Sequence, residues 1–226
     1  MRRLILAALA LAVCFGAQAR KEKRVSVEML TSKGKITVEL YNETPLHRDN
    51  FIKLAEEGFF NNLLFHRVIA DFMIQGGDPN SRNASEGQRL GDGDTGYTVP
   101  AEFRFPQIFH KRGALAAARE GDMFNPTKAS SGCQFYIVWG KTFTKEEIDN
   151  LASVIERNTG GKTTFPDNVK KHYMRYGGTP HLDGSYTVFG EVTKGIEVVD
   201  AIQQVNTDAN DRPLDDIRIL STKVKR

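Results

Sequence analysis

Within eight residues of the Arg67 guanidinium, the stretch FHRVIADFMIQGGDP (Phe65 to Pro79) supplies an aromatic ring in Phe72, a thioether in Met73 and an amide in Gln75. A lone arginine among apolar residues is ordinarily a surface or salt-bridged residue; this company raises its interest. Two further segments carry matching pieces. Ala116, Ala117 and Ala118, just ahead of Arg119, form a strand end of small side chains that a ligand backbone could approach closely. Gln134 and Tyr136 place an amide and a ring on one strand face, because strand side chains alternate. HLDGSYTVFGEV adds His181, Leu182, Tyr186 and Phe189. Taken singly, each of these residues is better explained as core or turn.

Other chemistries lack their parts. Cys133 in SGCQFYIV enters an apolar, strand-like run and reads as a small core residue. His47, His66, His110, His172 and His181 are not paired at ligand spacing with another His, a Cys or a carboxylate cluster, so neither a metal centre nor a cofactor is expected.

The elements that must hold these side chains are mostly strands. VSVEML and KITVEL alternate apolar and polar residues around Ser32-Lys33-Gly34, a hairpin with one buried face. LLFHRVI, FMIQGG, GYTVPAEF, GALAAAR, QFYIVW, SYTVFGEV and DIRIL continue the pattern, making about nine short strand candidates separated by Gly, Pro, Asn and Asp. That density predicts a closed antiparallel barrel or a sandwich. Two helices interrupt the set. One starts at Thr44-Pro45 and ends near Gly58; the other carries Ile196, Val199 and Ile202. Between Thr144 and Gly178 the strand rhythm breaks into a helical insertion, opened by a capping box of Thr144 with Glu147 and followed by Ile148, Leu151, Val154 and Ile155.

The N-terminus, MRRLILAALALAVCFGAQA, combines two arginines, an apolar run and an A-x-A ending, so residues 1–19 read as a cleaved secretory signal. Its apolar core is too short to span a bilayer. A lipoprotein anchor at Cys14 is the lesser alternative, since Val13 is larger than the small residue expected before such a cysteine. Losing Arg2 and Arg3 from 31 basic residues leaves 29 against 28 acidic, a balance of +1 that implies no nucleic-acid partner. Processing leaves Cys133 as the one cysteine, so stability must come from packing rather than a disulfide. About 207 residues then form one domain, 20–226, with the insertion at about 144–178.

FHRVIADFMIQGGDP resembles the cyclophilin family signature, and ASSGCQFYIV and LDGSYTVFGEV resemble the family's next two signatures in the right order. The likeness spans roughly Val25 to Leu220, interrupted by the insertion, which in leading into GGTPHLDG looks more like bacterial secreted members than compact ones. It implies a mainly β fold: an eight-stranded closed antiparallel β-barrel capped by two α-helices, with one of the nine strand candidates a loop or merged with a neighbour. It also implies a peptidyl-prolyl cis/trans isomerase working on proline-containing polypeptides, periplasmic and monomeric. Carried over by position, Arg67 matches the catalytic arginine. Phe72, Met73, Tyr136 and Leu182 match the proline pocket, and Gln75, Ala118 and Gln134 match contacts to substrate backbone.

Four positions depart from the familiar pattern: Arg119 for an asparagine, Tyr136 for a phenylalanine, His181 for a tryptophan and Tyr186 for a histidine. Tyr136 keeps an aromatic wall. His181 implies weak binding of cyclosporin, because a large flat donor is lost, and Arg119 suggests a preference for acidic residues before proline. A rival reading keeps the fold but makes it a proline-peptide holdase without useful turnover.

Overall fold

The computed structural model describes residues 23–226. The expected secretory signal at residues 1–19 and the Cys14 alternative lie outside those residues. Among the described residues there are ten strands: β1 (Ser26–Thr31), β2 (Gly34–Leu40), β3 (Phe65–Ile69), β4 (Met73–Gly76), β5 (Thr98–Val99), β6 (Ala114–Ala117), β7 (Ser130–Ser131), β8 (Phe135–Val138), β9 (Val188–Lys194) and β10 (Ile219–Lys225). The α-helices are α1 (Pro45–Glu56), α2 (Lys145–Asn158), α3 (Asp167–Tyr176) and α4 (Ile196–Gln203).

Eight strands form one antiparallel sheet in the order β10-β1-β2-β9-β6-β8-β4-β3. The surplus candidate is GYTVPAEF, of which only β5 is extended, paired with β7 in a separate ribbon. The expected closed barrel is corrected: the sheet is curled but open, ending at β3 and β10. Its edges meet at an isolated Leu64–Arg218 bridge, flanked by Phe65 N–H to Ile217 O (2.8 Å) and Ile219 N–H to Leu63 O (2.8 Å). Asn62 sits there at φ 65°, outside strand geometry, so regular pairing runs out after one bridge.

Alternation along the strands sorts two apolar clusters to opposite faces. The concave face buries Val27, Ile36, Phe65, Ile74, Leu115, Phe135 and Phe189 against Phe51 and Leu54 of α1 and Val199 and Ile202 of α4. Phe51 touches Phe60, Phe135 and Phe189 at ring centroid distances of 4.8 to 5.4 Å, locking α1 onto the sheet. The convex face carries a second cluster of Met73, Ala114, Ala116, Tyr136, Val138 and Val188. A third core lies between α2 and α3, where Ile148, Phe165, Val169 and Tyr173 bury themselves against Phe105 and Phe109. Helix α2 begins with a reciprocal cap: Thr144 Oγ1 accepts from Glu147 N–H at 3.2 Å, and Glu147 Oε2 accepts from Thr144 N–H at 2.7 Å. Among the described residues, no helix is long and apolar enough to cross a membrane.

Candidate active site

The register of the sheet lines up the convex face. Arg67 on β3 pairs with Gln75 on β4, Gln75 with Tyr136 on β8, and Tyr136 with Ala116 on β6. Two pairs along, on the same face, Ile69 faces Met73 and Met73 faces Val138. A register shift between Phe65 and Arg67 puts a bulge at His66, and a bulge re-aims the residue that follows it. It leaves His66 buried and Arg67 half-exposed on the convex side.

A continuous polar chain fixes the guanidinium. Arg67 Nε donates to Asp211 Oδ2 at 3.2 Å and Nη1 approaches Gln75 Oε1 at 3.5 Å. Gln75 Nε2 then donates to Gln134 Oε1 at 2.9 Å, and Gln134 Nε2 donates to the carbonyls of Gly91 and Gly93, both at 2.8 Å. The Arg67–Asp211 pair is exposed on both sides at 42%, so it contributes at most about 1 kcal/mol to stability and serves chiefly to aim the arginine.

Next to this chain lies the apolar hollow. Met73 and Tyr136 form its buried floor, and half-buried Phe72, Ala118, Leu182 and Tyr186 pack against them. His181, exposed at the rim, lies over Phe72 with ring centroids 5.5 Å apart and planes at 32°. Beyond Gln75, Ala118 and Gln134 opens a cleft of about 790 Å³, walled also by Gly91, Gly93 and Arg119. A second hollow of about 550 Å³ around Tyr41 and Arg104 is lined by cations already engaged: Arg24 with Glu39 and Glu43, Lys111 with Glu191, and Arg104 with the Glu43 carbonyl.

All eleven candidate residues therefore come together on one face, although Arg119 does something other than expected. Its Nε donates to Ser185 O at 2.7 Å, Nη1 to Glu120 O at 2.7 Å, and Nη2 pairs with Asp122 at 2.7 Å. Its side chain is only 4% exposed, and its Cζ lies 4.3 Å over the Tyr186 ring. The guanidinium braces Tyr186, and each of its three nitrogens is engaged within the chain itself. Asp211, Gly91 and Gly93 were not singled out from sequence. Asp211 lies 144 residues from Arg67, and the glycines act through backbone carbonyls, which no side-chain pattern reveals.

The other reactive groups sit elsewhere. Burial pushes the Cys133 thiol up to about 11, opposed by a hydrogen bond from Ser131, so it is protonated at neutral pH. His47 is held between Glu102 (2.8 Å) and Ser130 (2.9 Å), and burial lowers its pKa despite the Glu102 contact. Among the described residues, no group of three or more His, Cys, Asp or Glu side chains is gathered as metal ligands would be.

An antiparallel sheet bearing a fixed guanidinium, paired amides and an apolar hollow on its convex face defines the class, and comparison with known proteins agrees. The family model for cyclophilin type peptidyl-prolyl cis-trans isomerases matches residues 26–224, and the chain belongs to that family. Its activity is peptidyl-prolyl cis/trans isomerisation. A Staphylococcus haemolyticus protein named for this activity is 32% identical over 206 residues, covering 91% of this chain and 93% of its own. A Staphylococcus aureus counterpart is 34% identical over 206 residues, covering 91% and 94%. In three dimensions, a Cryptosporidium parvum cyclophilin superposes with a TM-score of 0.62 at 23% identity, over 90% of this chain and 99% of that one. A second structure of that protein, determined in the presence of the dipeptide Ala-Pro, superposes with a TM-score of 0.61.

Proposed function

We propose that this chain isomerises X–Pro bonds in exported polypeptides by seating the proline ring on Met73 and Tyr136 while Arg67 stabilises the twisted amide. The observation that carries this reading is the juxtaposition across β3, β4 and β8 of Arg67, Gln75 and Tyr136. Rotation about a peptide bond faces a barrier of about 18–20 kcal/mol because amide resonance is lost. No bond is made or broken, so no nucleophile, metal or general base is required. X–Pro isomers interconvert over roughly tens to hundreds of seconds, slow enough to limit folding.

As the C–N bond twists, the proline nitrogen becomes pyramidal and regains a lone pair. A guanidinium can donate to it, an interaction absent from both planar forms and therefore useful for rate. A charged hydrogen bond of about 1.5–3 kcal/mol corresponds to roughly one to two decades. Burying the three ring methylenes of proline adds about 2 kcal/mol of binding. Gln75 and Gln134 hold the flanking backbone, so that one side of the bond turns against a fixed other side. Asp211 and Gln75 hold the arginine on one edge while the other stays open to the hollow. Export rests on the residue 1–19 pattern, and clients are flexible proline-containing segments.

Arg67→Ala tests the mechanism. Turnover of a proline tetrapeptide in a protease-coupled assay should fall at least tenfold with an unchanged far-UV spectrum. Retained turnover would remove Arg67 from the chemistry. Strong peptide binding without turnover in the natural chain would favour the holdase reading instead.

A further inference from the structure

Tyr136, part of the floor of the hollow, is tied to a buried polar relay that runs away from the groove. Its hydroxyl lies 3.0 Å from His110 Nε2, the two rings stacked at 12°. His110 Nδ1 is 2.8 Å from Asp183 Oδ1, which also accepts the His110 backbone N–H at 2.9 Å. The other carboxylate oxygen accepts the Tyr173 hydroxyl at 2.6 Å. All four residues are buried, at 4% exposure or less. With Nδ1 committed to the carboxylate, Nε2 is left to share its hydrogen bond with the Tyr136 hydroxyl. Burial holds both tyrosines well above their ordinary range, so each remains a protonated donor.

The relay joins three places. Tyr136 stands on β8, and Asp183 directly follows the short 3-10 turn Pro180–Leu182, which carries His181 and Leu182 on the opposite wall. Tyr173 belongs to α3, inside the third hydrophobic core. We propose that Tyr173, acting through Asp183 and His110, positions the floor and the facing wall of the proline-ring hollow, making the helical segment 144–178 a working part of the isomerase site. This rests on the reading of the hollow given above. Without the Tyr136 hydroxyl, His110 Nε2 loses its partner; without the Tyr173 hydroxyl, a buried Asp183 oxygen does. Each loss costs far more in a dry interior than at a surface, so the backbone carrying the wall shifts to recover a partner. The hollow grips planar and twisted forms alike, so loosening it acts on KM rather than kcat.

The test compares Tyr173→Phe, Tyr136→Phe and the double variant in steady-state isomerase kinetics on a proline tetrapeptide, with methyl NMR of Leu182. Tyr173→Phe should raise KM three- to tenfold, keep kcat within twofold and move the Leu182 methyl signals. The double variant should be no worse than the poorer single one, because both cut the same relay. Val169→Ala, a cavity in the same helical core away from Asp183, should lower the melting temperature and leave KM alone. Unchanged KM and unmoved Leu182 signals in Tyr173→Phe, or fully additive losses in the double variant, would overturn the proposal. Should Tyr173→Phe not fold, an unchanged KM in Tyr136→Phe overturns it equally. Loss of turnover in Arg67→Ala alongside an unaffected Tyr173→Phe would sink the relay alone, whereas full turnover in Arg67→Ala would sink the underlying reading of the site.

Discussion

Arg67 illustrates how little one residue can do unaided: a charged hydrogen bond covers one to two decades of rate against a barrier of about 18–20 kcal/mol. The remainder must come from neighbours that hold the substrate, and two of them depart from the familiar pattern with different consequences. Arg119 is bonded within the chain to Ser185, Glu120 and Asp122. His181 lies over Phe72 with a smaller ring than an indole. His181→Trp should therefore tighten cyclosporin binding about tenfold, or roughly 1.4 kcal/mol, by adding apolar contact and an N–H donor. Isothermal titration of both forms checks this; equal affinities would place the weakness elsewhere in the groove.

Among the elements, the crossing of β4 and β8 governs the site, because Gln75 and Gln134 must meet there. The chain leaves β4 through Gly77, at φ +96°, where a Cβ would collide with the Cys133 carbonyl immediately before Gln134. An alanine there is both strained and crowded. Gly77→Ala should destabilise the fold by at least about 1 kcal/mol in urea unfolding, and it should lower kcat/KM beyond what Ala at an exposed glycine such as Gly87 does. Much of this level was readable in advance. Seven of the eight strands of the sheet, α1, α4 and the α2 cap follow from local alternation, Thr44-Pro45 and the Thr144/Glu147 spacing, whereas the last strand, expected at DIRIL, runs instead over Ile219–Lys225. The failure of the sheet to close was not, since it depends on how Asn62–Phe65 meets Ile217–Ile219, segments more than 150 residues apart.

For the molecule as a whole, buried histidines set the response to acid. His66 is buried beside Arg67, and its pKa is pushed down to about 4, chiefly by desolvation and further by Arg67, against the pull of Asp78. In the unfolded chain the ring takes a proton near 6.5, whereas the folded chain resists until about 4. The unfolded state thus binds more protons in that window, and the His66 contribution, complete above pH 6.5, is lost as pH falls towards 4. Thermal melts between pH 7 and 4 should show His66→Asn losing less stability on acidification than the natural chain. Parallel curves would mean that His66 does not carry the effect.

Short-range pattern was enough to establish the succession of strands and helices, the residues turned to one face of each strand, and the order of the three motifs that place the chain among the cyclophilins. These follow from side-chain alternation, helical spacing and capping, all local in the chain. The open seam, the Asp211 partner of Arg67, the Gly91 and Gly93 carbonyls behind Gln134, the internal use of Arg119 and the Tyr136–His110–Asp183–Tyr173 relay depended on the folded chain. Each is a contact between segments remote in sequence, often through backbone atoms that carry no residue identity, and only the packed arrangement brings them within hydrogen-bonding distance.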